Sequence, residues 1–163
     1  MFPPPSPLWG EGRLRGRLLL FLTLLLIPSL AVAQGHVVTP AQLVWRPLIP
    51  GTEMAVVSGD PGKAGLYVLR IRTQAADARV PPHWHPTDEH ITVLTGAFLV
   101  AHGEQYDASK LTELTAGAHA AMPARMPHFA LQRAGSVIEI YGEGPFVVNW
   151  VNPEDDPSRA GKK

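Results

Sequence analysis

The chain has 163 residues, of which 45% are hydrophobic and 17% are charged, values that are ordinary for one globular domain. Its 14 basic residues balance its 14 acidic residues, so neither a nucleic-acid-binding stripe nor an acidic tail is indicated. We therefore expect a small-molecule partner and no nucleic acid. The 17 prolines and 15 glycines interrupt the chain too often for long amphipathic helices, which predicts an all-β fold of short strands.

The N-terminal region has the pattern of a secretory signal peptide. Arginines at positions 13, 15 and 17 precede an apolar run over residues 18–30, and the small residues Ala31 and Ala33 follow. Because the run is shorter than the ~20 residues of a membrane-spanning helix, we expect cleavage after Ala33 and no stable membrane anchor. Residues 1–12 fit no signal peptide well and are open to interpretation as an overextended translation start.

The predicted mature chain, residues 34–163, is expected in the periplasm or outside the cell. Removal of three arginines and one glutamate leaves it mildly acidic. It contains no cysteine, so we expect its stability to come from a hydrophobic core and a bound metal rather than from disulfides. The charged residues 153–163 are expected to form a solvated end.

Short strand-like runs alternate along the mature chain with turn signals rich in glycine and proline. A series of short strands without a long intervening helix predicts a sandwich or a barrel and no βαβ unit. The predicted strands are residues 42–48, 53–57, 66–73, 90–95, 97–101, 129–132, 137–142 and 146–151.

One segment concentrates side chains that bind metals. His83, His85 and Glu89 stand at positions n, n+2 and n+6, and on an extended strand even spacings place side chains on the same face. Imidazole and carboxylate together suit Fe, Mn, Ni, Co, Cu or Zn. His128 is the candidate for a fourth ligand, because strands that are neighbours in a sheet need not be neighbours in sequence. His90 has the opposite parity, so we expect it to point away.

This segment resembles the first motif of the cupin superfamily, in which His-x-His is followed after three residues by Glu and after six more by Gly. The motif stands here as His83, His85, Glu89 and Gly96. Asp77 replaces the glycine that usually lies six residues before the first histidine.

A second segment resembles the second cupin motif, with two departures. It stands as Gly117, Pro123, Arg125, His128 and Gln132, where the family has glycine in place of Arg125 and asparagine in place of Gln132. The turn at Arg125 often needs a positive φ, so either it is built differently or it carries strain. The Arg125 side chain is either solvated or in contact with an anionic ligand at the barrel mouth.

The resemblance covers about residues 66–151 and includes some likeness to the ChrR-type cupin domain. It implies a single-domain, RmlC-like jelly-roll barrel, frequently a homodimer, that holds one divalent transition metal near its centre. The ligands that it implies are His83, His85, Glu89 and His128.

Three functions are compatible with this resemblance, because one cupin scaffold hosts many activities. The first is a small-molecule metalloenzyme, a dioxygenase or a related lyase. The second is a non-catalytic ligand-binding or sensing module, and the third is a secreted structural protein. No acid–base partner can be placed, because the faces that Glu113, Glu139 and Glu143 occupy are unknown. Tyr141 and Trp150 are expected to lie in the core or to line a pocket.

Overall fold

The computed structural model describes residues 35–159, so the predicted signal peptide (residues 1–33) and its cleavage site lie outside the described part. Within it, eleven strands are accompanied only by 3-10 helices of three residues each, which confirms the all-β prediction. The strands are β1 Arg46–Pro47, β2 Thr52–Ser58, β3 Gly65–Thr73, β4 Ala78–Trp84, β5 Glu89–Thr95, β6 Ala97–His102, β7 Thr112–Thr115, β8 His119–Met122, β9 His128–Gln132, β10 Val137–Gly144 and β11 Asn149–Trp150.

The strands form two antiparallel sheets. The first sheet has the order β1-β2-β3-β10-β5-β8, and the second has the order β11-β4-β9-β6-β7. Side chains alternate between the two faces of each strand, and those on the inner faces make the core. β3 shows the alternation clearly, because Tyr67, Leu69, Ile71 and Thr73 are buried while the residues between them are more exposed.

Six of the eight predicted strands are found within two residues of their predicted bounds. The other two predicted strands, residues 42–48 and 146–151, are longer than the observed ones, because β1 and β11 each pair over only two residues. Sequence patterns missed β4, β7 and β8. β4 contains two consecutive prolines, and β7 and β8 are four-residue strands at sheet edges, where hydrophobic alternation is too short to detect.

The prolines of β4 produce a bulge that positions the first histidine. Val80 pairs with Ala130 and His83 pairs with His128, so β4 advances three residues where β9 advances two. The extra residue lies at Pro81-Pro82, where the chain has no N–H to donate to the ladder. As a result both Val80 and His83 face inward.

The C-terminal segment differs from the solvated end that we expected. Short 3-10 helices form at Pro153–Asp155 and Pro157–Arg159, and Pro157 is half-buried against the central cavity described below. None of the helices within residues 35–159 is long and apolar enough to cross a membrane.

Candidate metal centre

The structure brings the four predicted ligands together from both sheets. His83 is near the end of β4 and directly opposite His128, the first residue of β9. Glu89 is the first residue of β5 in the other sheet. His85 follows the end of β4. All four side chains are buried, with exposed fractions of 6% or less.

The route by which these residues converge differs from the predicted one. His83, His85 and Glu89 do not share a continuous strand, because β4 ends at Trp84 and the chain turns before β5 begins. The turn carries the chain from the second sheet to the first. The side chains therefore meet across a corner of the barrel, and their even spacing in the sequence does not by itself place them on one face.

The three histidines can hold one metal ion. One ring nitrogen from each of His83, His85 and His128 lies within 4.8 Å of the others. The Glu89 carboxylate lies beside two of these histidines, with Oε1 3.5 Å from His85 Nε2 and Oε2 3.3 Å from His128 Nε2. The donor set is nitrogen-rich and contains one carboxylate, which suits a divalent transition metal.

Backbone carbonyls set the orientation of all three rings. The Nδ1 atoms of His83, His85 and His128 lie 2.8, 2.7 and 3.0 Å from the carbonyl oxygens of Pro81, Val147 and Met126, respectively. A carbonyl only accepts, so each Nδ1 carries the hydrogen and donates. The lone pair of each neutral ring is therefore on Nε2, the arrangement seen when a second hydrogen bond fixes a metal-ligating histidine.

The Nε2 atoms are left in an environment that needs a cation. His85 Nε2 is buried and has no hydrogen-bond partner among the described residues. A lone pair that faces a carboxylate oxygen at 3.3–3.5 Å is favourable only when a proton or a metal ion lies between the two acceptors. A buried polar atom without a partner costs about 1–3 kcal/mol. The residues present therefore fit a bound metal.

The protonation states also favour metal binding. Burial, assisted by the neighbouring His128 and His85, lowers the pKa of His83 to about 3, and burial lowers the pKa of His85. Burial alone would raise the pKa of Glu89, but its hydrogen bond with His128 and the electrostatic effect of the neighbouring histidines outweigh burial and lower that pKa. Neutral imidazole and ionised carboxylate are the forms that metals bind.

Two aromatic residues of the 146–150 segment hold histidines in place. The Phe146 ring stacks on His85 with centroids 5.1 Å apart, and Trp150 packs against His83 at 5.4 Å. Trp150 also lines the cavity, as expected. Sequence reasoning assigned this segment only as a strand. The anchoring atom here is the carbonyl of Val147, and a backbone atom leaves no signal in residue type.

The ligand atoms open onto a cavity of about 230 Å³ between the two sheets. Its walls are almost entirely aliphatic or aromatic. The lining residues besides the four ligands are Leu48, Ile49, Thr52, Ile71, Val80, Ile91, Phe98, Ala130, Gln132, Ile138, Ile140, Phe146, Val148, Trp150 and Pro157.

Arg125 adopts the backbone conformation that the family's glycine would supply. Its φ is +63°, in the left-handed region, so the turn is of the usual form and carries strain. Its N–H donates to His85 O at 2.7 Å, which ties the turn to the metal centre. The side chain is exposed and does not line the central cavity, which agrees with a solvated turn.

The other two departures from the motifs have structural roles. The Gln132 amide nitrogen donates to the carbonyls of Ile71 and Ser136 at 3.2 and 3.1 Å, so it links the two sheets in the core. The Asp77 carboxylate accepts from Arg133 Nη1 at 2.7 Å and from Ala134 N at 2.9 Å. It fastens the start of β4 to the turn between β9 and β10.

His90 points away from the centre, as expected from its parity. Its ring stacks on Tyr141 at 4.8 Å and on His119 at 5.6 Å, on the outer face of the first sheet. Tyr141 lies on that outer face, where the register pairs it with His90, and it lines a surface pocket rather than the central cavity.

The model of the family described as the ChrR cupin-like domain matches residues 33–127, more than half of the chain. The chain belongs to this cupin family. The match ends one residue before His128, so the evidence for His128 in this cupin is its position in the structure. No curated protein matches the chain.

Solved structures with the same fold cover most of this cupin. The polyketide cyclase RemF from Streptomyces resistomycificus has a TM-score of 0.61 at 18% identity, over 80% of this chain and 94% of that one. A putative acetylacetone dioxygenase from Methylibium petroleiphilum PM1 has a TM-score of 0.58 at 16% identity, over 78% and 88%. An RmlC-like cupin from Shewanella frigidimarina has a TM-score of 0.54 at 18% identity, over 68% and 91%. These likenesses support the RmlC-like cupin fold.

Proposed function

We propose that this cupin holds one divalent transition metal with His83, His85, Glu89 and His128 and acts on a small molecule bound in the adjoining cavity. The observation that carries the proposal is the convergence of ring nitrogens from three histidines, each anchored through Nδ1 to a backbone carbonyl, beside the Glu89 carboxylate at the wall of an apolar cavity. Side chains held by such contacts are pre-organised for coordination.

We propose dioxygenase or related lyase chemistry for this centre. A bound metal would supply Lewis-acid or redox chemistry. The chain's own residues bind and orient the ligand and exclude water, because the walls around the centre are apolar. The RemF structure is that of a polyketide cyclase and the Methylibium structure that of a putative acetylacetone dioxygenase, so this fold hosts chemistry on small organic molecules.

One observation favours a non-catalytic binding or sensing module as the second candidate. The titratable residues that line the cavity are the four proposed ligands, and Glu113, Glu139 and Glu143 are not among the lining residues. A general acid or base separate from the ligands is therefore missing from the described cavity wall. A reaction that needs such a group is disfavoured, whereas binding or metal-centred chemistry is not.

Metal analysis tests the proposal most directly. Protein purified anaerobically should contain close to one metal ion per chain, and His83→Ala, His85→Ala and Glu89→Ala should each remove it. Stoichiometric metal in His85→Ala would refute the assignment. An oxygen-uptake screen of the loaded protein against small organic molecules then separates the enzyme from the binding module.

We also propose that the protein is exported to the periplasm or secreted and that it forms a homodimer. The support for export is the pattern of residues 1–33, and the dimer is implied by the cupin resemblance. Mass spectrometry of protein from its native cell should find Gln34 at the N-terminus, and a mature chain that begins at or before Arg13 would contradict cleavage. Light scattering of the purified chain tests the dimer.

A further inference from the structure

We infer that the ligand of this cupin carries an uncharged, apolar body of about the size of one six-membered ring, attached to the group that meets the metal. The inference rests on the proposed metal centre, since it concerns the part of the same ligand that lies away from the metal. It follows from the residues that line the cavity, from the hydrogen bonds that their polar atoms already make, and from the volume of the cavity.

The cavity wall offers no charge to pair with a charged ligand body. Apart from the four proposed ligands, every lining residue is uncharged, and the polar side-chain groups among them belong to Thr52, Gln132 and Trp150, whose indole N–H is a donor. An acidic body would have no basic side chain to meet within the described lining. Burial of an unpaired charge is strongly unfavourable, so sugar acids, dicarboxylates and amino acids are poor candidates.

The Gln132 amide nitrogen and the Thr52 hydroxyl already make hydrogen bonds within the protein. The Gln132 amide nitrogen donates both of its hydrogens, to the carbonyls of Ile71 and Ser136. The Thr52 hydroxyl donates to Ile49 O at 3.1 Å and accepts from Ile49 N at 3.2 Å. A polyhydroxylated ligand needs a partner for each hydroxyl that it buries, and the side-chain groups that remain on this wall, the Gln132 Oε1 acceptor and the Trp150 N–H donor, are too few for it.

The position of the cavity leaves room for the body beside the metal centre. β9 turns His128, Ala130 and Gln132 inward in succession, so the wall runs about 13 Å from the centre to the amide of Gln132 at ~3.3 Å per residue. Half-buried Leu48, Ile49, Trp150 and Pro157 line the cavity in or near β1 and β11, which are edge strands of the two sheets. We place the entrance there.

The volume limits the size of the body. The cavity measures about 230 Å³, below the roughly 300–1,000 Å³ of sites for drug-sized ligands. An apolar cavity of about 150 Å³ is large enough for benzene. A single ring or a short branched chain therefore fits, and a fused polycyclic body does not.

Matched carboxylates test the inference in the metal-loaded protein. Butanoate, hexanoate and succinate share a carboxylate head for the metal, and hexanoate and succinate have the same number of non-hydrogen atoms. Because each buried methylene strengthens binding by about 4-fold and hexanoate has two more methylenes than butanoate, calorimetry should show hexanoate binding about 15-fold more tightly. Succinate should bind no more tightly than butanoate. Succinate binding as tightly as hexanoate would overturn the inference.

A pair of isosteric variants locates the effect in the cavity. Val80→Thr places a hydroxyl on the cavity wall and should weaken hexanoate binding by about 4-fold without changing metal content. Val56→Thr makes the same change at a position that is 43% exposed and outside the lining, and it should leave binding unchanged. Equal effects of the two variants would show that hexanoate does not lie against this wall.

A neutral probe separates failure of this inference from failure of the proposed function. Toluene should bind the metal-free protein, detected by NMR shifts of Ile138 and Ile140, because its binding needs no metal. Toluene binding in a protein that takes up no metal would refute the metal centre but support the apolar site. Metal uptake without toluene binding and without preference for hexanoate would refute the inference and leave the metal centre standing.

Discussion

Two histidine clusters lie on opposite faces of the barrel wall, separated at β5 by a single step from Glu89 to His90. In the inner cluster, each Nδ1 is fixed by a backbone carbonyl and the Nε2 atoms converge. In the outer cluster, the rings of His90, His119 and Tyr141 stack within 24° of parallel. Stacked rings direct their nitrogens side by side rather than at one point. The clusters therefore differ in donor set as well as in ring orientation, because the inner one combines three histidines with Glu89 and the outer one has two histidines and a tyrosine.

The largest expected effect separates the two clusters by metal affinity. His128→Ala should weaken metal binding by 10-fold or more, because it removes a ligand and leaves Glu89 facing a gap. His90→Ala should change the affinity by less than about 2-fold, well below the roughly 10–100-fold loss that removal of a group supporting a ligand causes. Competition with a chelator at fixed pH measures both. Equal losses would mean that the proposed ligand set is wrong.

The next effect compares the aromatic partners of the clusters. Phe146→Ala removes the ring that stacks on His85, and for a half-buried phenylalanine we expect a loss of roughly 2 kcal/mol in the free energy of unfolding with weaker metal binding. Tyr141→Ala removes the ring that stacks on His90 and should cost about 1 kcal/mol with metal affinity unchanged. Urea denaturation and chelator competition give the two quantities. A loss of metal in Tyr141→Ala would link the outer cluster to the centre.

A pH series tests the buried, neutral state of the inner cluster. The pKa of folded His83 is about 3, below its ordinary value near 6.5, so between these values the unfolded chain binds a proton that the folded chain does not. The stability of the metal-free protein should therefore fall as pH decreases from 6.5, by up to about 1.4 kcal/mol per pH unit. In His83→Gln the slope should be shallower. An unchanged slope would indicate that His83 is hydrated or charged when folded.

The smallest effect concerns the turn that is tied to the inner cluster through His85. Arg125 has a φ of +63°, so Arg125→Gly should relieve strain and stabilise the protein by about 1 kcal/mol. Gly117 has a φ of +88°, and Gly117→Ala should destabilise it by a similar amount. Thermal denaturation measures both changes. Destabilisation by Arg125→Gly would show that the exposed side chain makes a contact that outweighs the strain.

Predictions from the sequence were accurate where a local pattern marks a strand, and they failed where proline obscures the pattern or where contacts with distant residues decide the structure. β3, β5 and β10 were predicted within two residues, because each is rich in β-branched residues and has a glycine at or next to one end. β4 was missed because Pro81-Pro82 argues against a strand in a sequence pattern, although prolines are tolerated at the bulge that the structure has there. The prediction of a solvated C-terminal end was wrong at Pro157, because this residue lines a cavity whose other walls are formed by residues far away in the chain.

The sequence alone determined which residue types are available for a metal, because His83, His85 and Glu89 are close in the chain and their spacing is local information. It also predicted six of the strands and the orientation of His90, which points to the opposite face of its strand from Glu89. Only the tertiary structure decided that His128 meets them and that the carbonyls of Pro81, Met126 and Val147 fix the rings. The apolar cavity is also a product of the tertiary structure, because its walls come from strands of both sheets. Carbonyl oxygens are common to every residue, so their placement depends on how distant strands pack and leaves no trace in the sequence.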